Sequence, residues 1–254
     1  MRRRYLRILG FILVSCLLMW SSGNRKADAF WKFGQENQSS RVMVVFVDMS
    51  GSTNSARRSV YREAFEKIYQ NLRQGDRIVV GTITSRSYID FKPVVDVEIP
   101  KKSVWVNRIA FEQNLAKSKS QVQKEVDQLL ARKDGTPRTE ILNSLNIADT
   151  IFHMEKRQKI LVILSDMVQD SKEYNFDRVE LTDEYIANVI RQRNENNLIP
   201  DLAGVKVYVA GASADEAKKF RSIEKFWHSY LGAAGADFSI HRYGHSLLDF
   251  EKGA

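Results

Sequence analysis

From residue 41 onward the apolar positions follow two patterns, uninterrupted runs and helical stripes. Val42 to Val47 is a continuous apolar run that stops at Asp48. A run without polar alternation predicts a strand covered on both faces, as in the middle of a parallel sheet. Ser55 to Leu72 places Val60, Ala64, Phe65, Ile68 and Leu72 on one stripe and predicts a helix. Arg77 to Thr84 is a second strand, entered through a Gly75-Asp76 turn. Only Ser85-Arg86-Ser87 separates it from the extended stretch Tyr88 to Glu98. A link that short cannot cross over, so the two should pair antiparallel as a hairpin. Pro93 favours an edge position for the second arm, where a missing N–H breaks no ladder.

The rest of the chain keeps alternating. Trp105 to Arg132 is a long helical stretch with a polar middle, broken by Asp134-Gly135-Thr136-Pro137. Thr139 to Met154 is a helix, and Lys159 to Ser165 is a buried strand that ends at Asp166. A helix over 177–196, a strand over 205–210, a helix over 215–231 and a strand over 236–242 complete the pattern. Strands and helices in alternation predict an α/β chain: a Rossmann-like, doubly wound, mostly parallel sheet with helices on both faces. Phe226, Trp227 and Tyr230 read as core, and the polar middle of 105–132 reads as a solvated face, with a partner surface as the alternative.

The first 29 residues are of another kind. Arg2, Arg3, Arg4 and Arg7 precede an uncharged, mostly apolar run of thirteen residues, Ile8 to Trp20. That is the length of a signal-peptide core and short of the roughly 20 residues a membrane span needs. Three endings fit: lipidation at Cys16 in Leu13-Val14-Ser15-Cys16, cleavage after Ala27-Asp28-Ala29, or a retained anchor. Each predicts an exported chain in the periplasm or cell envelope, touching a membrane only through this segment. Residues 30–40 read as a linker, 41–246 as the domain and 247–254 as a C-terminal tail.

This segment also accounts for most of the charge. The chain carries a net +8, of which residues 1–29 supply five and the remainder three. A body so close to neutral gives no electrostatic footprint for nucleic acid. A single cysteine excludes a disulfide framework and a cysteine-rich zinc site. His241 and His245 lie on a strand and its exit, without the helical spacing of a metal pair. There is no G-x-S-x-G elbow and no phosphate-binding glycine loop, and Ser50 and Ser52 have no evident histidine partner.

In open α/β sheets ligands bind beyond the carboxyl ends of the strands. There the chain places Asp48-Met49-Ser50-Gly51-Ser52, Ser165-Asp166 and a threonine at a helix entrance. Two carboxylates and three hydroxyls are hard oxygen donors of the kind Mg²⁺ takes, with Mn²⁺ or Ca²⁺ as alternatives. The pattern Asp48-x-Ser50-x-Ser52 resembles the D-x-S-x-S motif of the von Willebrand factor A domain family, which forms a metal-ion-dependent adhesion site. The resemblance covers roughly residues 41–246. It implies a six-stranded sheet with one antiparallel edge strand. It also implies Asp48, Ser50 and Ser52 as ligands on the first loop, Thr139 on the second and Asp166 on the third. Thr136 is the rival for the second loop and fits the family's apolar spacing less well. Many members carry glycine after the second aspartate; this chain has Met167.

The resemblance implies a binding module and not an enzyme. The bound metal would coordinate an Asp or Glu of a protein partner, with Arg57, Arg58 and Arg138 as rim contacts to an acidic surface. A metal-independent structural component of an envelope assembly is the alternative, and a metal-assisted hydrolase comes third.

Overall fold

The computed structural model describes residues 40–51, 53–103, 107–132, 135–248 and 250–251. The chain divides into residues 1–39 and a compact unit from Ser40 onward. The signal or anchor segment and the linker up to residue 39 lie outside the described residues. Among the described residues no helix is long and apolar enough to cross a membrane.

The unit is built on β1 (Arg41–Asp48), β2 (Arg77–Ile83), β3 (Val95–Glu98), β4 (Gln158–Leu164), β5 (Val205–Ala210) and β6 (Asp237–Gly244). They form one sheet in the order β3-β2-β1-β4-β5-β6. All neighbours are parallel except β3, which pairs antiparallel with β2 at the edge. This is the arrangement implied by the resemblance to the von Willebrand A family. The helices are α1 (Ser55–Gln70), α2 (Ser87–Asp90), α3 (Arg108–Ala131), α4 (Ile141–Phe152), α5 (Asp183–Glu195) and α6 (Ala217–Ala233).

β1 shows why its run is continuous. Val42, Val44 and Phe46 face a core shared with α4, α5 and α6, and Met43, Val45 and Val47 face one shared with α1 and α3. All six are fully buried, so every position of the strand is interior. Phe226, Trp227 and Tyr230 on α6 are fully buried in the first core. The polar middle of α3 stays outside, and Val122, Val126, Leu129 and Leu130 form its buried stripe.

Three expectations are corrected. The hairpin arm over 88–98 is a four-residue strand preceded by the one-turn α2. The arm does not continue as strand because Phe91 turns back onto the sheet over Gly81; a Cβ at Gly81 would sit 2.3 Å from the Phe91 ring. Pro93 therefore precedes β3 and does not lie within it. The helix expected from 177 begins at Asp183, capped by the Thr182 hydroxyl. The residues before it form a turn that buries Phe176 against Phe226, ring centroids 4.5 Å apart. Packing also continues past residue 246, where a tail was expected. Leu247 and Phe250 are buried in the second core, and the Phe250 ring lies 5.0 Å from that of Tyr208.

Candidate metal centre

Three loops meet at the carboxyl ends of β1 and β4 and at the entrance of α4. The first follows Asp48. Asp48 is fully buried; its Oδ1 accepts the Ser50 backbone N–H at 2.9 Å and its Oδ2 accepts the Ser165 hydroxyl at 2.8 Å. The Thr53 hydroxyl donates to the Asp48 carbonyl at 3.2 Å, closing the turn before α1. The second loop lies directly against the first: the Gly51 N–H donates to the Thr136 carbonyl at 2.9 Å and the Thr136 N–H to the Met49 carbonyl at 3.1 Å. Gly135 makes this contact possible, because a Cβ there would stand 2.8 Å from the Met49 oxygen. The third loop is joined to the second by a backbone pair between Thr139 and Asp170, at 2.9 and 3.0 Å. Gln169 Oε1 accepts the N–H groups of Ile141 and Leu142 and so caps the start of α4.

The result is a cleft of about 450 Å³ onto which Ser50, Thr139 and Asp166 open. Asp48 sits behind Ser50. Thr136, the rival threonine, spends its hydroxyl on the Arg138 carbonyl at 2.9 Å, whereas Thr139 lines the cleft. Ser52 lies outside the described residues. Four of the five expected ligands are thus gathered at one sheet edge.

Burial pushes the Asp48 carboxyl above its ordinary range, against the opposing effect of its hydrogen bonds. Burial and the nearby Asp48 charge push Asp166 up to about 6. Burial and the charges of Asp48 and Asp166 push the Tyr61 hydroxyl well above its ordinary range. The Arg57 charge opposes the shifts of both carboxyls, and burial outweighs it. Among the described residues no three Asp, Glu, His or Cys side chains cluster as a ready-made metal cage. The donors are instead two carboxylates, flanking hydroxyls and room for water. That set fits Mg²⁺, which keeps several waters and takes few carboxylates.

Several participants were not anticipated from the sequence. Ser165 holds Asp48, and its Oγ also accepts the Met167 N–H at 3.0 Å. Arg57 pairs with Asp166 at 2.7 Å and reaches the Ser213 hydroxyl at 3.3 Å. Arg58 turns away to the carbonyls of Thr53 and Arg132. Arg58 therefore does not point outward as a rim contact, whereas Arg57 lines the cleft. Met167 explains the departure from the family pattern: its φ is +68°, the region glycine adopts freely. A side chain there costs about 1–2 kcal/mol. Full burial and a 2.8 Å hydrogen bond from Trp227 Nε1 to its carbonyl hold it in place. The signal in the sequence was the methionine itself, at a position where many members of the family it resembles carry glycine.

No protein-family model matches the chain, and no curated protein matches it. Solved structures do. A von Willebrand factor type A protein from Catenulispora acidiphila is 18% identical, covering 78% of this chain and 43% of its own, with a TM-score of 0.40. The pilus adhesin SpaC from Lactobacillus rhamnosus GG is 14% identical over 77% of this chain and 27% of its own, TM-score 0.46. The manganese-loaded TRAP protein of Plasmodium vivax is 16% identical over 81% and 68%, TM-score 0.43. This chain spans less than half the length of the first two.

Proposed function

We propose that the chain is an exported, metal-ion-dependent protein-binding module of the cell envelope. The observation that supports this reading is the convergence of Ser50, Thr139 and Asp166 on one cleft, with Asp48 buried behind them. Asp48, Ser50, Thr139 and Asp166 would hold the ion, with Ser52 added from the sequence motif. When bound, the ion supplies a Lewis-acidic position that an Asp or Glu of the partner fills. The residues of the chain fix that position. Asp48 orients Ser50 through its backbone N–H, Ser165 fixes the Asp48 carboxylate, and the Thr139–Asp170 backbone pair sets the hydroxyl and carboxylate loops at a constant separation.

The Arg57–Asp166 ion pair favours a second reading, a metal-free structural module in which the guanidinium neutralises the site. Titration of the full chain with Mg²⁺ and Mn²⁺, followed by thermal unfolding, separates the two. A saturable rise in Tm that is absent in Asp48→Asn and reversed by chelator is the expected result. Identical melting in metal and in chelator, for both proteins, would leave the structural reading standing.

A further inference from the structure

Arg57 is in an unfavourable place for a helix. It is the third residue of α1, whose first turn holds no acidic residue, and the positive end of the helix dipole disfavours a cation there. The cap is supplied by Asn54, whose side chain accepts the Arg57 backbone N–H at 2.9 Å, so the guanidinium adds nothing to helix initiation. It reaches instead across the cleft to Asp166 Oδ2 at 2.7 Å. The other oxygen of that carboxylate, Oδ1, already accepts the Val168 N–H at 2.9 Å. An ion, or water on an ion, that engages Asp166 Oδ2 from the cleft competes with Arg57 for that oxygen. Arg57 is 19% exposed and lines the cleft, so it has solvent-accessible space to move into. Its neighbour Arg58 shares the same turn and points elsewhere, which makes the Arg57 contact a property of the site and not of a basic helix end.

We infer that Arg57 is the resident counter-ion of the cleft: it competes with a divalent cation for Asp166 and is released to the cleft mouth when the cation binds. This rests on the proposed metal-dependent function. A divalent ion and a guanidinium on one carboxylate oxygen repel each other in a partly buried setting, which weakens the Arg57 contact when the ion binds. Once released, the guanidinium stands beside the seat of the partner's carboxylate, the group it pairs with best. Arg57 thereby acts as a positioning residue twice. It closes the metal-free site against adventitious cations, and it adds an anion contact only when metal is present.

The test is calorimetric titration of Mg²⁺ into the full chain and into its Arg57→Gln variant. The side-chain Nε–H resonance of Arg57 is followed by NMR in the wild type as Mg²⁺ is added. Loss of the competitor should tighten Mg²⁺ binding about tenfold. In the wild type the Arg57 resonance should move from a hydrogen-bonded to a solvent-like position with the same midpoint as metal binding. Arg57→Lys keeps the charge but loses the planar fork; it should fall between the two, and it serves if Arg57→Gln does not fold. Equal or weaker Mg²⁺ binding by Arg57→Gln, or an unmoved resonance at saturation, overturns the inference and leaves the metal reading intact. No Mg²⁺ binding by either protein overturns both.

Discussion

Buried charge occurs at both ends of this sheet, and the two ends treat it differently. At the amino ends of the strands, fully buried Arg41 is clasped by fully buried Asp76. Its backbone N–H, Nε and Nη2 all donate to that carboxylate, at 2.9, 3.2 and 2.6 Å. Glu251 joins them from the chain's far end; Lys206 and Tyr208 donate to its Oε1 at 3.0 and 2.9 Å. Burial pushes Glu251 up, but these hydrogen bonds and the charges of Lys206 and Arg41 outweigh it, and its carboxyl ends below the ordinary range. At the carboxyl ends, Asp48 and Asp166 end above theirs. One end is neutralised from within. At the other, burial outweighs the one guanidinium, Arg57, that pairs with Asp166. A site that must accept a cation has to leave its own charge partly uncompensated, and that costs stability.

The largest test of this contrast makes the same chemical change at both ends. Asp76→Asn removes the main counter-charge of Arg41 and leaves the buried guanidinium with only Glu251, at 3.7 Å, as an anion. Breaking a buried pair in this way should cost about 3–5 kcal/mol in denaturant unfolding. Asp48→Asn is isosteric, retains an acceptor for the Ser50 N–H, and removes one of two mutually repelling carboxylates. Its metal-free stability should be unchanged or higher by up to about 1 kcal/mol, while the Mg²⁺ response disappears. Comparable destabilisation by the two variants would mean that Asp48 is a structural residue like Asp76.

The open end was far more legible in the sequence than the closed one, and the reason is physical. Asp48 and Asp166 each terminate an uninterrupted apolar strand, and strand ends of that kind point to one sheet edge whatever the tertiary detail. Thr139 follows from the helix that begins beside it. The closed end offers no local cue. Asp76 follows Gly75 and reads as turn punctuation, Arg41 reads as the polar edge of a strand, and Glu251 falls in what looked like a tail. Their pairing spans 35 residues in one case and the length of the domain in the other, so only the folded topology brings them together. The direction of Arg57 was likewise unreadable, because spacing places a side chain on a helix turn without choosing which neighbour it meets. The hairpin arm at 88–98 failed for a similar reason: the short link predicted a continuous antiparallel arm, and one ring docking over Gly81 overrode it.

A smaller effect should follow from disturbing how the open end is assembled. Gly135→Ala puts a methyl group 2.8 Å from the Met49 oxygen and 3.2 Å from the Gly51 nitrogen, both backbone atoms with little freedom to give way. The second loop must move off the first, carrying Thr139 with it. The expected cost in stability is about 1–3 kcal/mol, as for other overpacked positions, with a larger proportional loss of Mg²⁺ affinity. Calorimetry and denaturant unfolding on the same preparation check both numbers. Full Mg²⁺ affinity in the variant would show that the loops need not be in contact for the donors to converge.

The smallest effect sharpens the comparison through pH, at the closed end. Glu251 has an ordinary carboxyl value of 4.5, taken as its value in the unfolded chain, and a lower one in the folded protein. Between the two values the unfolded chain binds more protons than the folded one, so stability falls as pH falls. The stabilisation from ionised Glu251 is fully present above 4.5 and is lost as the pH drops through the folded value. Glu251→Gln removes that term while keeping a side chain of the same size beside Lys206 and Tyr208. The stability difference between wild type and variant should therefore be constant above 4.5 and shrink below it. Unfolding curves taken in chelator across that range keep metal at the other end of the sheet out of the measurement. A difference that stays constant with pH would mean that Glu251 contributes shape and hydrogen bonds but no charge, and the contrast between the ends would then rest on Arg41 and Asp76 alone.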